Sequence, residues 1–144
     1  MQLKIREAEK KDYDSIYQLI RNELGYGQVD YEKLCVRLDL IDSDDKQLTV
    51  VAEDNGRIVG FIGICTGVPY NYEGEFMQVL ALAVSGDMQK RGIGAELMSW
   101  VEEYARKRGI SCITLTSRLH RADAHAFYES IGYANRSHGY KKYL

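Results

Sequence analysis

The run Gln89-Lys90-Arg91-Gly92-Ile93-Gly94-Ala95 lies between an apolar, strand-like segment, Phe76 to Val84, and an amphipathic segment that reads as a helix from about Gly92. Strand, glycine loop, helix is an anion-binding layout. The first backbone N–H groups of a helix have no intrahelical partners, and the helix dipole adds roughly half a positive charge there, so phosphates bind well at that end. A side chain at Gly92 or Gly94 would hold a pyrophosphate away from those amides. The chain lacks the Gly-x-x-x-x-Gly-Lys-Ser/Thr of a P-loop, and no Gly-x-Gly-x-x-Gly follows a strand, which excludes the two commonest nucleotide loops.

Working outward, the helix from Gly92 to about Arg108 turns Leu97, Met98 and Val101 inward, and Ile110 to Thr116 reads as a further strand. A strand-helix-strand unit demands a parallel pair with a right-handed crossover. Upstream, Leu48 to Ala52 and Ile58 to Ile64 flank Asp54-Asn55-Gly56-Arg57, and an Asn-Gly pair favours the positive φ angles of a tight antiparallel turn. Leu3 and Ile5 alternate with Lys4 and Arg6 in a first strand. Asp12 or Asp14 then caps a helix with Ile16, Leu19 and Ile20 on one face, ending near Gly25-Tyr26-Gly27. A second helix runs from Asp30 to about Leu40 with Leu34, Leu38 and Ile41 at helical spacing. A short helix around Ala122 to Ile131 and a closing strand-like segment to Leu144 complete the order. The expected fold class is α/β, a mixed and mostly antiparallel sheet with a parallel strand pair flanked by helices.

Composition narrows the partners. The 144 residues contain one proline and no low-complexity stretch, so 1–144 reads as a single domain. Net charge is -2 and the basic residues are scattered, which argues against nucleic acid as a partner. Three cysteines, Cys35, Cys65 and Cys112, are spaced too widely for a zinc pattern and fit reduced thiols. No metal is expected. No apolar run reaches spanning length, and Met1 to Ile5 reads as a strand rather than a signal sequence, so no membrane association and a cytoplasmic location are expected.

The spacing Gln-x-x-Gly-x-Gly/Ala after a strand ending in Leu82-Ala83-Val84 resembles the acetyl-CoA loop of the GCN5-related N-acetyltransferases. Downstream, Ala124-His125-Ala126-Phe127-Tyr128-Glu129-Ser130-Ile131-Gly132-Tyr133 is similar to that family's Ala-x-x-Phe-Tyr-x-x-x-Gly-Phe/Tyr signature. The alternative is a glycine turn capping an ordinary helix, followed by an aromatic core pair. The resemblance implies acetyl-CoA as co-substrate, held by Gln89, Lys90, Arg91, Gly92, Ile93, Gly94 and Ala95. It also implies that the parallel strands splay apart and that the thioester arm lies along Leu82, Ala83 and Val84, bonding the open backbone as another strand would.

The implied reaction is acetyl transfer to a primary amine by direct attack in a ternary complex. An amine of pKa about 10.4 is unprotonated in roughly one molecule in a thousand or fewer at pH 7, so the site needs a base or an ordered water leading to one. Within the signature, Tyr128 takes the role of general acid to the departing thiolate; the alternative is a core tyrosine beside Phe127. Many relatives place Glu three residues before the last strand valine, where this chain has Ala81. Strand alternation puts Glu75 on the face of Ala81 if no bulge intervenes, which makes Glu75 the candidate base, with Glu73 just before it. The second departure is Gly86, where the family usually carries proline, and a more flexible entry to the loop is expected.

Substrate identity rests on the least patterned segments. Tyr26, Tyr31, Tyr70 and Tyr72 could wall an amine pocket, with Glu73 and Glu75 attracting the cation, although eleven tyrosines make chance clustering easy. Tyrosines on a loop also suit a homodimer interface, and homodimers are common in the family. Arg118-Leu119-His120-Arg121-Ala122-Asp123-Ala124-His125 resembles small-molecule amine acetyltransferases, including aminoalkylphosphonate N-acetyltransferases. Arg118 or Arg121 would serve a phosphonate or carboxylate; a solvated basic helix start is the alternative. His120, His125 and His138 match no zinc spacing. Acetylation of a protein amino terminus or lysine, and a non-catalytic acyl-CoA-binding regulatory module, are the competing readings.

Overall fold

The computed structural model describes residues 1–117 and 121–144, in two compact units, Met1–Thr114 and Leu115–Leu144. The strands are β1 (Leu3–Glu7), β2 (Gln47–Asp54), β3 (Arg57–Gly67), β4 (Phe76–Val84) and β5 (Ile113–Leu115), and they lie in the sheet in that same order. Helix α1 spans Tyr13–Glu23, α2 Tyr31–Ser43, α3 Ile93–Lys107 and α4 Ala122–Ser130. The sheet is mixed: β1 to β4 pair antiparallel in succession, and β5 follows β4 through the α3 crossover.

The β2–β3 turn is the expected one, with Asn55 at φ 50° and Gly56 at φ 84°, the left-handed pair that a two-residue hairpin needs. Register assigns the sheet faces. Val51, Phe61 and Ala83 are aligned across β2, β3 and β4, and they form one core with Ile16 and Leu19 of α1 and Leu34 and Leu38 of α2. On α3, Ile93, Leu97, Met98 and Val101 are buried, and its close approach to the sheet needs Gly60, where a Cβ would lie 3.0 Å from the Ala83 carbonyl and 3.2 Å from Leu97. Helices α1 and α2 are tied together by the Tyr13 hydroxyl, which donates to Asp39 at 2.8 Å, by Tyr31 donating to Asp14, and by an edge contact between Tyr17 and Tyr31. Burial together with Asp39 pushes the Tyr13 phenol up to about 12.

Four features differ from the sequence reading. Asp12 occupies the cap position of α1 without making the side-chain cap bond. Its carboxylate instead takes a bidentate pair from Arg6 at 2.8 and 3.0 Å and the Glu9 N–H at 2.7 Å, and Arg6 also reaches Glu53 at 2.9 Å. The strand expected from Ile110 begins only at Ile113. Gly109 at φ 73° donates to Arg106, and Ile110 donates back to Ala105, so Ile110 is the buried residue closing a Schellman cap on α3. Leu80 is the third: Gly63 pairs with Ala81 but Ile64 with Val79, which leaves one extra residue in β4, a bulge. Fourth, the closing segment forms no strand, and Tyr140, Tyr143 and Leu144 are exposed. Among the described residues of its unit only Leu115 belongs to a strand, so they offer no ladder to extend.

In the C-terminal unit α4 ends like α3. Gly132 at φ 98° donates to Glu129, Tyr133 donates to Tyr128 at 2.9 Å, and the two tyrosine rings meet with centroids 6.2 Å apart. The Tyr-x-x-x-Gly-Tyr spacing is therefore a Schellman cap with its accompanying hydrophobic contact.

Candidate active site

The glycine loop opens α3 as its sequence implies. Gly92 is the cap residue, left-handed at φ 84°, with open space where a Cβ would stand. No side chain caps the helix, so the first-turn N–H groups of Ile93 and its successors face an open end. Lys90 is also left-handed, at φ 64°. Alternating left-handed residues turn successive N–H groups toward one side, the geometry of an anion nest. Neither Lys90 nor Arg91 joins an ion pair among the described residues.

Two clamps hold the entry to this loop. On one side Glu23, the last residue of α1, accepts the Gly86 N–H at 2.9 Å and faces the Gln89 amide at 3.4 Å; that amide also donates to the Val84 carbonyl at 3.1 Å. On the other, Arg57 of the hairpin donates to both Asp87 oxygens at 2.8 and 2.9 Å and to Ser85 at 3.0 Å, and Ser85 bonds Asp87 at 2.6 Å. The Arg57 and Ser85 bonds hold the Asp87 carboxyl well below the usual carboxylate range. The sequence expectation at Gly86 is a more flexible entry, and the structure gives this entry the hydrogen bonds of Glu23 and Arg57.

Two cavities open on the larger unit. One, about 240 Å³, has Glu7, Asp42, Asp44 and Asp45 in its wall and no residue of β4 or the glycine loop. The other, about 220 Å³, lies between α1, α2 and the sheet. Its wall is Ile20 of α1 and Leu24 just past its end, Leu34, Arg37, Leu38 and Ile41 of α2, Tyr26, and Gln47, Leu48, Thr49, Phe61, Gly63, Ile64, Leu80 and Ala81 of the sheet. The wall is apolar, Arg37 is its one charged side chain, and none of the described residues lining it is Asp or Glu.

The candidate site residues separate. Leu82, Ala83 and Val84 pair with Ile62, Phe61 and Gly60, directly after the cavity's Ala81. Tyr26 lines the cavity, whereas Tyr72 and Glu73 do not. Glu75 stands at the opposite end of β4 from the glycine loop, paired with Arg108 at 3.3 Å just past the end of α3. The alternation that would give it Ala81's face is broken by the Leu80 bulge, and the two lie about 20 Å apart along the strand. Among the cavity residues, Arg37, Leu24 and Leu80 carried no signal in the sequence beyond α2's helical period, and Glu23 carried none.

In the C-terminal unit Tyr128 is half-buried on α4, its ring edge-on to Phe127 at 5.2 Å. Burial raises its phenol above the ordinary value, against a smaller opposing effect of Arg121. Arg118 and His120 lie outside the described residues. Among the described residues no cluster of three or more His, Cys, Asp and Glu could hold a metal ion, and no helix is long and apolar enough to cross a membrane.

Known proteins are similar to this chain in sequence and fold. The family model described as Acetyltransferase (GNAT) family matches residues 9–133. The aminoalkylphosphonate N-acetyltransferase of Salmonella typhimurium is 30% identical over 97% of this chain and 90% of its own, and the uncharacterized N-acetyltransferase YhdJ of Bacillus subtilis is 27% identical over 98% and 95%. The crystal structure of a transcriptional regulator from Bacillus halodurans C-125 superposes with a TM-score of 0.92 at 27% identity, covering 99% of this chain and all of that one. With a family model spanning most of its length and N-acetyltransferases as near full-length relatives, the chain belongs to the acetyltransferase (GNAT) family and is an N-acetyltransferase.

Proposed function

We propose that the protein transfers an acetyl group from acetyl-CoA to a primary amine of a small molecule. One observation carries this reading: β4 bears both the cavity wall, at Leu80 and Ala81, and the loop that opens α3. A pyrophosphate on the N–H groups after Gly92 would direct the thioester arm along Leu82 to Val84 toward Ala81, where the cavity would hold the amine. The cavity is smaller than the roughly 300–1,000 Å³ of a drug-sized site, which favours a compact amine over a protein segment in an open groove. The aminoalkylphosphonate specificity named for the Salmonella relative supports the same class.

Deprotonation is assigned to the cavity itself rather than to Glu75. Apolar walls disfavour the ammonium form and lower the amine pKa, and a neighbouring cation, Arg37, acts in the same direction. The ammonium proton passes to bulk water; the amine nitrogen then forms its bond to the acetyl carbon as the carbon–sulfur bond breaks, and the second proton that nitrogen sheds also goes to water, from which the phenol is reprotonated. A backbone N–H near Leu82 is assigned to the developing oxyanion, and Tyr128 is assigned to give its proton to the leaving sulfur. The signature supports Tyr128, and so does a phenol that keeps its proton at neutral pH.

The test is the thermal midpoint on adding acetyl-CoA, with NAD and ATP as controls, followed by a screen of small amines for thiol release. Stabilisation by acetyl-CoA alone is expected. Equal stabilisation by all three, or by none, would end the reading.

A further inference from the structure

The apolar face of α2 is edged by a charge. Leu34, Leu38 and Ile41 form its inward stripe, and Arg37, at the i+3 position beside that stripe, is exposed and stands at the rim of the cavity. Every described side chain that shares the cavity with it is neutral. Arg37 also joins no ion pair among the described residues, since Glu32, Asp39 and Asp42 of its own helix fall outside its i±3 and i±4 neighbours. Asp39 is taken by Tyr13 and Lys10. A guanidinium at the wall of an apolar cavity, with five donors in a planar fork, is suited to a two-oxygen anion.

We propose that Arg37 selects the acceptor: the substrate is an amine whose other end carries an oxyanion, a carboxylate or a phosphonate. The proposal rests on reading the cavity as the amine site. It explains how a doubly charged substrate would enter an apolar cavity. Arg37 pairs with the anion at the wall, so the anion no longer stabilises the ammonium, and the amine end meets only the neutral surface that leads to Ala81. Chain length between amine and anion is then the selected quantity, because Arg37 and Ala81 are fixed on separate elements.

The test uses the full chain and three amines that share a three-carbon chain: propylamine, 3-aminopropylphosphonate and 4-aminobutyrate. Affinity is read by calorimetry, independently of turnover, for the wild type and for Arg37→Gln, Arg37→Lys and Arg37→Glu. The wild type is expected to bind at least one anionic amine about tenfold or more tightly than propylamine. Arg37→Gln should abolish that ratio, Arg37→Lys should restore part of it, and Arg37→Glu should invert it. Whichever anion gives the larger ratio identifies the headgroup. A wild-type ratio near one, a ratio that survives Arg37→Gln, or no binding of either anionic amine at millimolar concentration would overturn the proposal. Failure of the acetyltransferase reading shows separately, as the absence of stabilisation by acetyl-CoA.

Discussion

The Glu23 carboxylate accepts the Gly86 backbone N–H at 2.9 Å, joining the end of α1 to the entry of the glycine loop. Most relatives are expected to carry proline at this point, and proline has no N–H to give. The backbone itself would take proline, because Ser85, at φ -53° and ψ 137°, has the extended conformation that a following proline requires. Glycine is thus set apart from proline here by its donor. Its lack of a side chain matters less, since an added Cβ would stand 3.4 Å from the Glu23 oxygen.

Glu23→Ala and Gly86→Pro remove the same bond from its two ends. Each is expected to weaken acetyl-CoA affinity several-fold, in line with about 1 kcal/mol for the net contribution of a typical hydrogen bond, and to leave the amine KM unaffected. The double variant should be no worse than the worse single one. Affinities by calorimetry in a double-mutant cycle decide it, and additive losses would show that the two residues act separately.

Tyr128→Phe is expected to lower kcat by two orders of magnitude or more, the usual contribution of a general acid being about 10²–10⁴-fold, with acetyl-CoA stabilisation retained. Because burial raises the phenol, the wild-type rate should show no alkaline fall from this group below about pH 10. A pH–rate profile of both proteins tests this, and equal turnover would remove Tyr128 from the mechanism.

Arg6 and Asp12 form a buried ion pair, Asp12 being only 3% exposed. Removing one partner strands the other charge, so Arg6→Ala should destabilise by about 3–5 kcal/mol. Burial alone would raise the Asp12 carboxyl, but the Arg6 bonds and the Glu9 N–H outweigh it and hold it below the ordinary value. A depressed carboxyl stabilises fully above its unfolded pKa of about 3.9 and loses that contribution as pH falls toward the native value. Urea denaturation between neutral pH and pH 3 should show wild-type stability falling in that window, and Asp12→Asn, already weakened at pH 7, falling less.

Gly92→Ala forces a side chain to φ 84°, which is expected to cost about 1 kcal/mol of stability, and it places a methyl group where the pyrophosphate is proposed to approach. Lys90→Gly relieves a similar backbone at φ 64° and should be neutral or stabilising. Thermal midpoints with and without acetyl-CoA separate the effects: Gly92→Ala should lose more ligand stabilisation than intrinsic stability.

Glu75→Gln breaks a part-exposed pair with Arg108 and is expected to cost at most about 1 kcal/mol. If the cavity, rather than this carboxylate, frees the amine, the pH–rate profile should keep its shape. A rate loss confined to low pH would restore Glu75 as the base.

What the sequence by itself determined was local in cause. Asn55-Gly56 has one comfortable turn, Phe76 to Val84 has one sheet-forming run, and Gly92 marks a helix start whose amides are open. The signature Phe127-Tyr128-x-x-x-Gly132-Tyr133 encodes its own helix cap, since Gly132 alone takes the left-handed step and Tyr133 returns to Tyr128. Tertiary structure decided whatever depended on the meeting of distant segments. The Leu80 bulge exists only against β3, and it moved Glu75 out of phase with Ala81. Glu23 finds Gly86 across 63 residues of chain, and the cavity exists only because α1 and α2 close over the same sheet face, leaving Arg37 exposed at its rim. Residue spacing fixes backbone conformation through sterics and hydrogen bonds a few positions long. The partner of a carboxylate or guanidinium is set by packing between elements, and no period in the sequence records it.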